Sequence, residues 1–167
     1  FSSYTAGSPN GVIALQIGGN LTQTINGGLG GAAVWATTSS GSVDLTTASN
    51  ATGVIAGSAT TGFAYKSSNT IALKDVNAHS GLSTSASGNI VLDGPGFSNS
   101  VATPFTVPST SRWLVYANSP ANVSKGGLTS AFRHYGDTKT SYPTPTETGS
   151  GFIYASTPGT LNVNTTL

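Results

Sequence analysis

The sequence predicts an all-β chain, and three observations carry that expectation. Short β-branched runs recur through the first hundred residues, Gly, Ser and Asn break them apart, and none of them has the i, i+3, i+4 apolar spacing of an amphipathic helix. In order the runs are Val12 to Ile17, Leu21 to Ile25, Ala33 to Thr37, Val43 to Thr47, Val54 to Ala56, Phe63 to Tyr65, Ile71 to Val76 and Ile90 to Leu92. Each has strand length, and threonine, β-branched and polar at once, suits their solvent faces.

Composition bounds the class. The 167 residues suffice for a core of their own, and 24 Ser plus 25 Thr make up about 29% of them, with 22 Gly and only 7% charged residues. Disorder calls for low hydrophobicity and high net charge, whereas 37% of these residues are hydrophobic and the net charge is +1. The expectation is a folded protein with an uncharged polar surface. Without Cys there are no disulfides, thiolate metal sites or cysteine nucleophiles. No run of 18 apolar residues exists, which excludes a helical membrane span, and six scattered basic residues leave no footprint for nucleic acid. Low charge with abundant Ser, Thr, Asn and Gly points to secretion. Phe1 follows no basic n-region or apolar signal core, as in a mature or partial polypeptide.

A loose repetition underlies the runs. Gly19-Asn20-Leu21, Gly41-Ser42-Val43, Asn69-Thr70-Ile71 and Gly88-Asn89-Ile90 each place a turn-forming pair before an aliphatic residue, at intervals of 22, 28 and 19 residues. Such spacings suit the coils of a parallel β-solenoid; a sandwich, with turns every 8 to 12 residues, is the alternative. In a solenoid, alternate residues such as Val43 and Leu45 face inward, Ser and Thr face outward, and the runs Ile71 to Leu73 and Ile90 to Leu92 pair in parallel. The expected core is Val12, Leu15, Leu21, Val34, Val43, Leu45, Ile55, Phe63, Ile71, Leu73, Ile90, Leu92, Phe105, Trp113, Val115, Phe152 and Tyr154.

Charge and aromatics divide the chain unequally. Residues 1–65 hold one charged side chain, Asp44, while 105–167 carry Phe105, Trp113, Tyr116, Phe132, Tyr135, Tyr142, Phe152 and Tyr154. Residues 1–103 are therefore assigned to the solenoid coils and 104–167 to a terminal coil with a capping segment, within one domain. A bare solenoid end would expose strand edges and core aliphatics, and 117–150 is too long for an unstructured loop in a compact domain. Leu128, Phe132 and Tyr135, spaced by four and three, predict a short helical turn with Phe132 on the last coil near Trp113 and with Arg133 and His134 solvated.

Few residues suggest chemistry. His79 has Asp75 and Ser80 nearby, but three such residues within six positions of a β-rich stretch do not readily converge as a triad, so His79 reads as a turn residue. Asp75 and Asp93 would approach one another if their coils stacked in register; otherwise both are ordinary turn residues. The four sequons are about what chance supplies at this composition, and the Thr-x-Thr pairs do not repeat from coil to coil as an ice-binding ladder would. His134, Tyr135, Asp137 and Tyr142 form the densest polar and aromatic group, a candidate site for a sugar or an anion, or else a solvated loop. No cofactor and no metal is expected.

From residue 112 the chain resembles a known family. Arg112-Trp113-Leu114-Val115-Tyr116, Pro120-Ala121-Asn122, Gly126-Gly127-Leu128, Phe132, Tyr135, Gly151-Phe152-Ile153-Tyr154 and Thr160-Leu161-Asn162-Val163 are similar to the end of the β-helical shaft in filamentous-haemagglutinin-like exoproteins, bacterial adhesins exported by two-partner secretion. Gly62 to Lys66 and Asn89 to Leu92 resemble the coils leading into that end. The family's secretion domain is not evident here, so the chain reads as an internal or distal piece of a longer protein. The resemblance implies a right-handed parallel β-helix in a secreted, surface-associated protein, with no catalytic residues carried over. The expected function is a structural and adhesive segment, not an enzyme. Its partners would be a host or matrix glycan or protein surface, or further copies stacked end to end. A carbohydrate-binding module and a β-helical polysaccharide-cleaving enzyme are the alternatives.

Overall fold

The computed structural model describes residues 11–158 and the backbone of Tyr4–Thr5. Thr160 to Val163 lie outside the described residues. The chain winds as a parallel β-solenoid of about six turns. Its strands are β1 (Tyr4–Thr5), β2 (Val12–Ile17), β3 (Leu21–Thr22), β4 (Leu29–Gly30), β5 (Ala33–Thr38), β6 (Val43–Asn50), β7 (Val54–Ala59), β8 (Phe63–Ser67), β9 (Ile71–Leu73), β10 (Leu82–Thr84), β11 (Ile90–Asp93), β12 (Phe97–Asn99), β13 (Phe105–Thr106), β14 (Trp113–Ala117), β15 (Val123–Ser124), β16 (Phe132–Tyr135) and β17 (Gly151–Tyr154). Two sheets form the walls. One stacks β2, β5 and β7 and then continues as shorter strands, β9, β12 and β15 beside β10 and β13; the other runs β3, β6, β8, β11, β14, β17, β16. Every pairing between these strands is parallel.

Register aligns the core in columns. In the second sheet Leu21, Val43, Phe63, Ile90 and Trp113 stack from coil to coil, and so do Leu45, Tyr65, Leu92, Val115 and Phe152. All ten are buried, since a strand's alternate residues share a face and parallel pairing without slip keeps that face inward. Sixteen of the seventeen expected core residues pack into this cluster or against it; Leu15 and Phe105 are half-buried there. The exceptions to expectation follow from parity and from coil geometry. Val12 points outward because its neighbour Ile13, fully buried, takes the inward position. Ile71 to Leu73 and Ile90 to Leu92 do not pair: β9 stacks on β7 and β12 in the first sheet, β11 on β8 and β14 in the second. Each coil contributes strands to both walls, so successive aliphatic runs alternate between sheets, and Phe63 occupies the column position that the repeat gave to Ile71.

Corners bury polar side chains that knit coils together. Asn50, with no exposed surface, accepts hydrogen bonds from the Leu29 amide (2.9 Å) and Gln23 Nε2 (2.6 Å), and donates to the carbonyls of Leu45 (2.9 Å) and Lys66 (2.8 Å). It thereby joins three coils. Asn99 does similar work near the C-terminal end, donating to the Val101 and Lys125 carbonyls and accepting from the Val101 amide. Such buried amides persist because every group they remove from water finds a partner.

Two irregular segments lie as straps over the outer faces. Residues 74–81, inserted between β9 and β10, lay Val76 against Ala33 and Ala56 and stack His79 on Trp35 at 4.1 Å. His79 is thus a turn residue held by an indole, without Asp75 or Ser80 in a triad. Residues 136–149 cross the other sheet, where the Tyr116 hydroxyl donates to the Tyr142 carbonyl and Lys139 Nζ lies 5.5 Å over the Tyr116 ring.

The C-terminal end departs from sequence order. Having left β14, the chain lays down β16 as the last strand of the stack and then returns to insert β17 between β14 and β16. Gly151–Tyr154 is apolar on both faces and wholly buried, which suits a central strand; Phe132–Tyr135 carries Arg133 and His134 and takes the edge. The helical turn expected over Leu128 to Tyr135 is therefore a strand, with consequences for each of its side chains. Phe132 faces outward and away from Trp113, joining Leu114, Tyr116 and Ile153; its ring lies over Gly151, where a Cβ would approach to 2.5–2.6 Å. Arg133 is solvated, as expected, whereas His134 is clamped. Tyr135 and Leu128, both half-buried, pack against the core end, and Lys125 Nζ sits 4.6 Å over the Phe152 ring.

Candidate functional site

Strand parity separates the four residues singled out from the sequence. His134 is in register with outward Ile153, Tyr135 with inward Tyr154, so the two leave β16 on opposite sides. Tyr135 lies against Tyr154, the two rings tilted with centroids 5.2 Å apart, and belongs to the end of the core. His134, Asp137 and Tyr142 come together on the outer face, where a fourth residue, Glu147, joins them. His134 Nε2 lies 2.8 Å from Asp137 Oδ2 and Nδ1 lies 2.6 Å from Glu147 Oε1, while the Tyr142 ring stacks on the imidazole at 4.4 Å. Glu147 stands 13 residues beyond His134 and meets it only because the strap doubles back; no local spacing announces the pair.

A carboxylate oxygen at each ring nitrogen favours the charged imidazole, in which both nitrogens donate. The hydrogen bond to Asp137, with that to Glu147, outweighs burial and raises the His134 pKa above its ordinary value. Asp137 is correspondingly lowered by His134 and Ser141. Burial raises Glu147, but its own backbone amide, His134 and Tyr142 together bring it below the usual range. In that charged form the ring has no lone pair for a metal or for proton abstraction. The cluster fastens the strap, and other bonds reinforce it: Arg112 donates to the carbonyls of Glu147 (2.6 Å) and Pro145 (2.7 Å), and the Tyr116 hydroxyl donates to the Tyr142 carbonyl (2.8 Å). Burial pushes the Tyr116 hydroxyl up to about 12.

Beside the strap lies a groove of about 390 Å³ whose polar lining is Asp44, Thr46, Lys66, Asp93, Lys139 and Thr140. Its apolar floor is Ala64 and Val91, consecutive members of one outward column. Asp93 stands in register with Lys66 on the neighbouring coil, and Lys139 reaches in from the strap. Burial raises the Asp93 pKa, with Lys66 and Lys139 opposing. Asp75, in contrast, is exposed after β9 in the other sheet, so the two aspartates do not converge. Of the chain's eleven charged side chains, seven (Asp44, Lys66, Asp93, Arg112, Asp137, Lys139 and Glu147) lie on this flank. In a protein so poor in charge, that concentration marks the second sheet's outer face as its chemically distinctive surface.

Fold and surface together define a parallel β-solenoid with a strapped, charge-bearing flank. Comparison with family models, with curated proteins and with solved structures found no match for this chain.

Proposed function

We propose that this chain is a structural and adhesive segment of a secreted bacterial exoprotein of the filamentous-haemagglutinin-like kind, working by presenting a surface and not by catalysis. The observation that carries the reading is the uninterrupted parallel stack, from β3 to β17 in one wall and from β2 to β15 in the other. A solenoid holds its outward residues in fixed columns along its length, which is what an extended contact surface requires. The clamped state of His134 supports a non-catalytic role. At the C-terminal end of the described residues Lys125 stands over the Phe152 ring, and its desolvation opposes the stacking of another copy there. The segment is therefore read as part of a shaft and not as a fibre subunit.

The test is adhesion of the purified chain to surfaces coated with matrix proteins or glycans, alongside electron micrographs and a cleavage screen on acidic polysaccharides. Saturable adhesion by discrete particles without cleavage is expected. Depolymerisation of a polysaccharide, or no adhesion to any coated surface, would overturn the reading.

A further inference from the structure

The groove between the strap and the second sheet has the properties of a ligand site. Its volume, about 390 Å³, lies within the range of small-molecule pockets. Its polar groups are incompletely used by the protein itself. Among the described residues no hydrogen bond or ion pair engages the Asp93 carboxylate, although it is half-buried, and Lys66 Nζ is likewise without a hydrogen-bonded partner there. Among the described residues Asp44 bonds only to Thr46 of its own strand, through the amide at 3.2 Å and the hydroxyl at 2.6 Å. Lys139 donates to the Pro143 carbonyl at 3.0 Å and its Nζ lies 5.5 Å over the Tyr116 ring, which leaves two of its three protons without a hydrogen-bond acceptor among the described residues. A partly buried carboxylate without a hydrogen bond is costly unless something else satisfies it.

The lining specifies the ligand. Two aspartates and two lysines sum to zero, so an ion entering the groove gains no net attraction from them. A neutral ligand rich in hydroxyls gains from all four, since carboxylates accept from O–H groups and ammonium groups donate to the oxygens. Ala64 and Val91 supply a small apolar floor of the kind that the C–H face of a pyranose ring covers, and Thr46 and Thr140 stand at the sides. We propose that this groove binds a neutral saccharide unit, with Asp93 and Lys66 as its central acceptor and donor and Lys139 as the contact from the strap. The proposal deepens the adhesive reading above and rests on it: this would be where the shaft touches glycan. His134, by fastening the strap that carries Lys139, is a positioning residue for the same site. A hexose-sized ligand held at ordinary efficiency binds with a dissociation constant on the order of 1 mM.

The experiment is an amide-NMR titration of the full chain with glucose, galactose, mannose and N-acetylglucosamine, each to about fifty times that constant, with phosphocholine as a zwitterionic comparison. At least one sugar is expected to produce saturable shifts centred on Asp44 to Thr46, Ala64 to Lys66, Val91 to Asp93 and Lys139 to Thr140. Asp93→Asn, which breaks no hydrogen bond among the described residues, should weaken that binding at least tenfold without lowering the melting temperature. His134→Gln should weaken it less and shift strap resonances even without sugar. The proposal is overturned by the absence of saturable shifts with every sugar, by shifts centred elsewhere, by Asp93→Asn binding as tightly as the wild type, or by preference for phosphocholine. Adhesion to protein-coated surfaces that survives such a failure would leave the shaft reading standing, whereas loss of adhesion to every surface would remove both.

Discussion

Asn50 offers the sharpest test of how the coils hold together. Replacing it by Ala removes the acceptor of the Leu29 amide and the donor to the Leu45 and Lys66 carbonyls, while Gln23 Nε2 keeps its 2.6 Å bond to the Gly27 carbonyl. Three backbone groups lose their partner. A dry unsatisfied group costs about 1–3 kcal/mol, and partial wetting of the small void softens the total to about 3–5 kcal/mol. For a chain of this size that is a fall in melting temperature of roughly 6–20 °C. Asn50→Asp carries a more specific signature. It keeps the shape and the acceptor but points an anionic oxygen at the two carbonyls formerly served by Nδ2. Protonated, the acid donates to one of them, so its folded pKa lies above the unfolded value of about 3.9. The folded state then binds the extra proton. Stability of the variant is greatest below that value, falls as pH rises through the folded pKa, and levels off beyond it. Urea titrations followed by circular dichroism between pH 3 and 7 measure both variants. A loss below about 1 kcal/mol for Asn50→Ala, or a pH-independent deficit for Asn50→Asp, would refute the inter-coil role.

Three further outcomes are expected. The strap clamp should be pH-dependent in both directions: the raised His134 contributes fully below 6.5 and loses its contribution as pH rises through its folded pKa, while the lowered Asp137 and Glu147 contribute above 3.8 and 4.5 and fail as pH falls through theirs. The difference in melting temperature between wild type and His134→Gln should therefore peak between about pH 4.5 and 6.5, and a flat difference would contradict the clamp. Trp113→Ala empties a site where the indole stacks on Phe105 at 5.0 Å and meets Phe152 edge-on at 5.2 Å; the expected loss by denaturant titration is about 3–5 kcal/mol. Gly88 has φ +82°, and a Cβ there would collide with the Thr61 carbonyl oxygen of the adjacent coil, so Gly88→Ala should cost about 3 kcal/mol or more, whereas Gly127→Ala, with positive φ but open space, should cost about 1 kcal/mol.

The all-β class, most strand positions and the inward parity of Val43, Leu45, Ile90, Leu92, Trp113 and Val115 were legible in the sequence. Alternation along a strand is a local property, written in neighbouring residues, and the chain's turn-formers mark where each run stops. What the sequence did not contain was which run stacks on which. The repeat placed Ile71 in the column that Phe63 occupies, because a coil with two walls sends consecutive aliphatic runs to opposite sheets, and nothing within a run names its wall. Leu82–Thr84 and Phe97–Asn99 escaped notice for a related reason: three residues suffice for a strand once a parallel neighbour supplies the hydrogen bonds, but they are too few to show a period. The same holds at the candidate site. His134, Asp137 and Tyr142 are close enough in sequence to be seen as a group, while Tyr135 is excluded from it by strand parity alone once the segment is a strand and not a helical turn. Glu147, and the groove that joins Asp44, Lys66, Asp93 and Lys139, exist only after β17 has inserted behind β16 and drawn the strap back across the sheet. Long-range placement of this kind depends on which strand loses most by remaining at an edge, and that comparison is made between segments in the folded chain, not within any one of them.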